Sequence, residues 1–263
     1  MRPQVPARMR YANLLAALIT IAFNALANAL PLNGKTTGEI SDSLPVLFVP
    51  AGYVFSIWAA IYIGWLVFAA YQFLPAGRGN ARLQRLGALF VLSCAANIGW
   101  LILWHYERFI YTVPVMLSLL ACLVAIYLRL EIGRARAKGL ERWAVDVPFS
   151  LYLGWISVAT IANISAALRH LNWSGWGLSA EAWAVIMIVA TGALGLAVLA
   201  TRRDIAYALV LIWAAAGIAV KQTTASTVMA AAWALVAVLA AAAVGLAAKD
   251  HLPAFTRYRA DLP

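Results

Sequence analysis

The sequence predicts an all-α integral membrane protein of about eight transmembrane helices, and three observations predict it. Of its 263 residues, 64% are hydrophobic and 11% charged, with a mean hydropathy of +0.83, an apolar excess that a soluble domain of this length cannot bury. The apolar residues fall into stretches close to the ~20 residues that a membrane-crossing helix needs. Basic residues gather in alternate connecting segments, the pattern left when Lys and Arg are retained on the cytoplasmic side.

Taken in order, the first span is Tyr11–Leu30. Its Arg-rich approach and the Ala25–Ala27 and Ala27–Ala29 patterns imitate a secretory signal, but the segment is expected to stay as the first helix. The spans Gly52–Phe73, Leu86–Trp104, Ile110–Leu128, Val147–Leu168 and Glu181–Ala200 follow. Ile205–Val220 is the shortest, and the Arg202-Arg203-Asp204 turn before it leaves a re-entrant element open. Ser226–Ala247 is the last.

With the N-terminus inside, the inner segments hold Arg2, Arg8, Arg10, Arg78, Arg82, Arg85, Arg129, Arg134, Arg136, Lys138, Arg142, Arg202, Arg203, Lys249, Arg257 and Arg259, sixteen of the twenty Lys and Arg. Lys35, Arg108, Arg169 and Lys221 remain outside, and deleting any span would scramble every later loop. The net charge of +10 therefore reports topology and not nucleic-acid binding, since its carriers are dispersed through juxtamembrane loops. Both termini are expected in the cytoplasm, and the host is expected to be a bacterial cytoplasmic membrane or a photosynthetic membrane continuous with it.

None of the eight apolar cores holds Asp, Glu, Lys or Arg apart from Glu181 at the start of the sixth, which argues against ion-coupled transport. Cys94 and Cys122 have no metal or redox spacing and are expected to pack. His105, His170 and His251 lie at or beyond helix ends with no ligand spacing, so each is expected to be solvated, with an axial ligand role for His105 or His170 as the alternative. No metal site and no catalytic group is expected.

The polar residues inside the spans are amides and hydroxyls, among them Asn97, Ser157, Thr160 and Asn163. They share faces with rings. On the second helix Phe55, Trp58, Tyr62 and Trp65 recur at helical spacing, on the third Asn97, Trp100 and Trp104, and on the fifth Tyr152, Trp155, Ala159 and Asn163. Because the second helix enters where the third and fifth leave, Phe55–Tyr62, Asn97–Trp104 and Ala159–Asn163 are expected to share the outer half of the membrane. They could line one pocket for a flat apolar ligand, or simply pack, with the amides bonding helix to helix.

At these residues the chain resembles the TspO family, the translocator or tryptophan-rich sensory proteins. Three blocks carry the resemblance: Pro50, Gly52, Tyr53, Val54, Phe55, Trp58 and Tyr62; Asn97 with Trp100; and Tyr152, Trp155, Ala159 and Asn163, over about Tyr11 to Leu168. The family fold is a five-helix bundle, which implies a bundle over residues 1–170 and a three-helix membrane extension with a cytoplasmic tail over 171–263. The usual Pro-Tyr pair of the fifth helix is replaced by Leu151-Tyr152, with Pro148 nearby, so its bending is expected to differ. The forward cholesterol-type pattern fits Leu103, Tyr106 and Arg108, and also Val124, Tyr127 and Arg129, both away from the family's usual place, so sterol binding is not expected.

The resemblance implies a receptor or sensor for a tetrapyrrole, whether porphyrin, haem or a bacteriochlorophyll-like ring. Its pocket would be lined by Phe55, Trp58, Tyr62, Asn97, Trp100, Trp104, Tyr152, Trp155, Ala159 and Asn163 and closed by the loop Pro31–Val49, which otherwise is a plain connector. No cofactor is required, and membrane lipid and a hydrophobic small molecule are the expected partners. The alternative is a non-catalytic accessory subunit of a larger membrane complex, such as a photosynthetic reaction-centre and antenna assembly. It rests on the small-residue stretches Ala230–Ala243 and Gly192-Ala-Leu-Gly195, which could pack helices of this chain or of another subunit, a homodimer included. Enzymatic turnover of porphyrin, a third reading, finds no nucleophile, acid–base pair or metal cluster.

Overall fold

The structure is a computed structural model that describes residues 4–135, 137 and 139–251. Arg2, Arg136, Lys138, Arg257 and Arg259, counted above among the inner basic residues, lie outside the described residues, as do the tail after His251 and the His251 side chain.

Eight long apolar helices account for most of the described chain: α1 Ala7–Ala29, α2 Ile57–Tyr71, α3 Leu89–His105, α4 Phe109–Arg129, α5 Val147–His170, α6 Ala180–Arg202, α7 Ile205–Lys221 and α8 Ser226–His251. Six segments are long and apolar enough to cross a membrane: α1, α2 with the turn before it (Gly52–Tyr71), α4, α5 with its lead-in (Gly139–His170), α6 and most of α8 (Ser226–Lys249). The other two, α3 and α7, have 17 residues each. At 1.5 Å per residue that is about 26 Å, the lower end of what spans a hydrocarbon core of ~30 Å. The protein is a multi-pass, all-helical membrane protein. Helix α7 runs unbroken, so Ile205–Val220 is a helix and not a re-entrant element.

Two sequence boundaries shift. The second span does not begin as α-helix: Gly52–Ser56 is a 3₁₀ turn that leads into α2. The third starts at Leu89, after a turn in which Gly87 takes φ 54°, a left-handed conformation that glycine adopts without strain. Pro148 occupies the first turn of α5, where a missing N–H costs nothing, and follows a π-helical turn over Arg142–Asp146. Its ring lies against Gly64 of α2, where a Cβ would stand 2.9 Å from Pro148 Cβ.

Helix contacts order the first five as a closed ring: α1 touches α2 and α3, α3 touches α4, α4 touches α5, and α5 returns to α2. The extension adds a second layer, with α7 packed on α5 and both α6 and α8 packed on α7. Small residues inside the extension are used within the chain. A Cβ at Gly192 would meet Leu235 at 2.9 Å, and one at Gly195 would meet Leu211 and Leu239 at the same distance.

The loops sort to two ends, as alternating passes require. At the arginine-rich end, Arg82 donates to the Leu130 carbonyl at 2.6 and 2.8 Å and pairs with Glu141 and Asp146 at 2.7 Å each, tying the α2–α3 and α4–α5 connections together. The N-terminal Val5 amide donates to the Arg78 carbonyl there at 2.9 Å. Asp204 caps α7 through the Tyr207 amide at 3.1 Å and accepts from the hydroxyls of Tyr127 at 2.9 Å and Ser150 at 2.6 Å, fixing the extension to α4 and α5. At the other end Lys35 pairs with Glu107 at 2.6 Å, and Lys221 pairs with Asp42.

Candidate functional site

The Pro31–Val49 connection is folded, not slack. Thr36 caps a short helix over Thr37–Ser43 in a reciprocal box: the Glu39 amide donates to the Thr36 hydroxyl at 3.3 Å, and the Thr36 amide donates to Glu39 Oε2 at 2.7 Å. The Thr36 amide and hydroxyl, both donating to Glu39 Oε2, hold its carboxyl below the usual carboxylate range, the backbone donor foremost. Ile40 is fully buried beside Trp104, Phe109, Ala166 and Ala167, so the short helix is pinned over α3, α4 and α5.

Hydrogen bonds hold this cover on several sides. Asn28 Oδ1 at the end of α1 accepts from the Thr37 amide at 3.2 Å, and Trp104 Nε1 donates to the Thr37 carbonyl at 3.3 Å. His105 is fully buried, with Nδ1 at 3.0 Å from the Leu32 carbonyl and Nε2 at 3.0 Å from the Thr37 hydroxyl. A carbonyl can only accept, so Nδ1 donates to Leu32, and Nε2 is hydrogen-bonded with the Thr37 hydroxyl. The expectation of a solvated His105 is thereby corrected, and both ring nitrogens are engaged in holding the cover. His170 is exposed and packs edge-on against Phe109, ring centroids 5.3 Å apart.

Beneath the cover lies a cavity of about 60 Å³, lined by the Pro50–Phe55 turn, α2, α3, α4, α5 and the cover itself. Of the residues the sequence singled out, Phe55, Trp58, Asn97, Trp100, Trp104, Trp155, Ala159 and Asn163 line it together. Tyr62 and Tyr152 do not. Tyr62 stacks on Trp58 with centroids 5.4 Å apart, and Tyr152 is fully buried against Trp65 at 4.8 Å, so both form the floor one layer deeper. Their spacing put them on the right face, but 11 residues separate Tyr152 from Asn163, about 16 Å along the helix.

Rings meet mostly edge to face, the geometry their quadrupoles favour. Phe55 meets Trp155 at 5.7 Å and Trp58 meets Trp155 at 6.3 Å, while Trp100 and Trp104 are stacked at 5.4 Å. The lining contains no carboxylate, cysteine or histidine, and its polar side chains are Thr37, Ser41, Asn97 and Asn163.

The two asparagines differ. Asn97 is satisfied by neighbouring helices: its Oδ1 accepts from Asn24 at 2.9 Å and its Nδ2 donates to the Tyr152 hydroxyl at 3.3 Å. Asn163, 3% exposed, accepts from Trp100 Nε1 at 2.9 Å, but its Nδ2 is buried with no partner. The helix-to-helix role applies to Asn97, and one amide donor at Asn163 is left open.

Sequence reasoning missed Thr37, Ser41, Leu44, Val46 and Val49 of the cover, Met116 of α4, and the part played by α7. A signal existed for the cover: Thr36-Thr37-Gly38-Glu39 carries the capping-box spacing. Helix α7 grips both the cover and the turn that leads into α2. Lys221 pairs with Asp42, Gln222 Nε2 donates to the Leu47 carbonyl at 3.0 Å, and Trp213 Nε1 donates to the Val54 carbonyl at 3.0 Å. The Ala51 amide donates to the Gly217 carbonyl at 3.1 Å, an approach only glycine allows, since a Cβ there would lie 2.1 Å from Val54 Cγ2.

The family model for TSPO-like protein matches residues 10–245, which takes in α6, α7 and most of α8 as well as the ring of five. The resemblance drawn from motifs stopped near Leu168. No curated protein and no solved structure matches the chain.

Proposed function

The chain belongs to the TSPO-like protein family, and from that premise we propose that its covered cavity receives a flat apolar ligand with a hydrogen-bond acceptor at its edge, a tetrapyrrole being the class the resemblance implies. The protein then acts as a membrane receptor or sensor. The observation that supports this most directly is the Asn163 Nδ2 donor, buried without a partner in the wall of an aromatic cavity. A buried unpaired donor costs about 1–3 kcal/mol, and a ligand acceptor recovers it. Trp58, Trp100 and Trp155 supply ring faces for the body of the ligand.

A free volume of about 60 Å³ is far below the ~300–1,000 Å³ of ligand pockets, so this is the closed form and binding requires the cover to lift. No histidine lines the cavity, which favours a ring bound through stacking and amide contacts over one held by an imidazole. The same lining, without carboxylate or cysteine, favours binding over turnover. The accessory-subunit reading draws less support, because the small residues at Gly192 and Gly195 on which it leaned are filled by Leu211, Leu235 and Leu239 of the same chain.

The test is a titration of the full chain in mild detergent with protoporphyrin IX, read by quenching of tryptophan fluorescence. Saturable quenching is expected in the unaltered protein, and Trp155→Ala combined with Asn163→Ala should weaken the inner site at least tenfold while the helical signal is kept. Unchanged affinity in the folded double variant sinks the assignment.

A further inference from the structure

A larger space lies on the other face of the cover. Val46 and Phe48, Ile164 and Leu168 of α5, and Met187 of α6 wall a groove of about 550 Å³, within the range of ligand pockets, whereas the inner cavity is not. Val46 lines both spaces, so a single layer of the cover separates them. The groove exists only because the extension stands beside α5.

Two features of its rim are unexplained by packing. Trp173, Trp176 and Trp183 form a cluster with centroids 5.1 to 5.9 Å apart, yet Trp176 is 80% exposed. It is also held at φ 51°, between Gly175 at 69° and Gly177 at 82°, a left-handed conformation that costs a bulky residue about 1 kcal/mol or more. Three successive left-handed residues turn this indole outward over the groove. Arg169 is the groove's cation, and among the described residues its side chain makes no ion pair or hydrogen bond.

We infer that this groove is a second binding site, for a planar apolar molecule bearing an acidic group. The ring lies against the indole cluster and the aliphatic wall, and the acid meets Arg169. A planar acid is favoured over a lipid tail because an acyl chain needs only the aliphatic wall, while the strained outward indole offers a ring face at the mouth. The inference takes its ligand class from the reading of the inner cavity, and it makes the groove the place where that ligand waits, one layer of backbone from its final seat.

The experiment uses the full chain in mild detergent with protoporphyrin IX and its dimethyl ester as probes, measuring stoichiometry and loading rate. Both altered positions, Arg169→Gln and Trp176→Ala, are exposed, so the variants fold. The expected result is two porphyrins per chain, one per chain in the Arg169→Gln/Trp176→Ala variant with inner-site loading slowed about tenfold, and no second molecule for the ester. Restoration by Arg169→Lys supports a charge contact. Unchanged stoichiometry and rate in the variant overturn the groove and leave the inner cavity standing. Loss of all binding on altering the groove, with none on altering Trp155 and Asn163, keeps the groove and overturns the inner cavity. A phospholipid that copurifies in the groove and is not displaced by porphyrin also overturns the inference.

Discussion

Replacing Gly217 by Ala tests whether α7 holds the wall of the cavity. The added Cβ would stand 2.1 Å from Val54 Cγ2 and 3.0 Å from Pro50 Cβ, so either α7 or the Pro50–Ser56 turn must move. Overpacking of this kind costs about 1–3 kcal/mol. The movement also stretches the Ala51-to-Gly217 and Trp213-to-Val54 hydrogen bonds, each worth about 1 kcal/mol, for a total of roughly 3–5 kcal/mol. Denaturant unfolding of the full chain in detergent reads the loss directly. The compensating change is Val54→Ala, which alone leaves a small void at a fully buried site and costs about 1–2 kcal/mol. With the colliding methyl gone, the double variant should lie within about 1 kcal/mol of Val54→Ala alone, a coupling of opposite sign to the single losses. Because Phe55 sits on the displaced turn and lines the cavity, probe affinity should fall in Gly217→Ala and return in the double variant. A Gly217→Ala protein as stable as the parent, or losses that simply add, would refute the contact.

Lys221→Ala removes a half-exposed ion pair to Asp42 and should change stability by no more than about 1 kcal/mol, yet raise the rate at which a bound probe leaves, measured by displacement. Arg82→Ala strips the partner from both Glu141 and Asp146 and should cost about 3 kcal/mol in the unfolding assay, with Arg82→Lys recovering only part because one ammonium cannot span two carboxylates and a carbonyl. The Glu39 carboxyl is held below its ordinary value, so its capping contribution is complete above the usual carboxylate range and is lost as pH falls through the lowered value. Protection of the Thr37–Ser43 amides, exchange corrected for its intrinsic pH dependence, should therefore be constant near neutrality and fall only in acid, and Glu39→Gln should flatten that fall.

What could be read from the sequence was whatever repeats locally. The apolar runs and the ring stripes follow a 3.6-residue period, so Trp58, Trp100 and Asn163 could be assigned to one depth, and Trp155 to the same helix face as Asn163, before any coordinates. Period alone does not say how deep a face penetrates a cavity, which is why Tyr62 and Tyr152 were grouped with it and turn out to be its floor. The rest depends on residues far apart in the chain. Lys221 and Asp42 are separated by 179 positions, and Trp213 reaches Val54 across 159. Lys221 was legible only as one of four outer cations, and nothing near it announces that it fastens a loop from the other end of the sequence. Likewise Asp204 reads as a helix start, while its bonds to Tyr127 and Ser150 come from two other helices.

The distribution of hydrogen bonds also decides which wall of the closed cavity can give way. On the helical side, Asn24, Asn97 and Tyr152 form a chain from α1 through α3 to α5, and Asn13 donates to Gln72 at 2.8 Å between α1 and α2, so these helices are cross-linked by buried amides in a medium that offers no substitute partner. On the loop side, the Thr37–Ser43 helix is pinned by Ile40, Trp104 and His105, but among the described residues the strip from Pro45 to Val49 is tied to the extension by one hydrogen bond, from Gln222 to the Leu47 carbonyl. That strip is the layer shared by the cavity and the groove. On the proposed reading, room for a ligand comes from displacing this strip, and the first contact strained is the Gln222 bond to the Leu47 carbonyl at the end of α7.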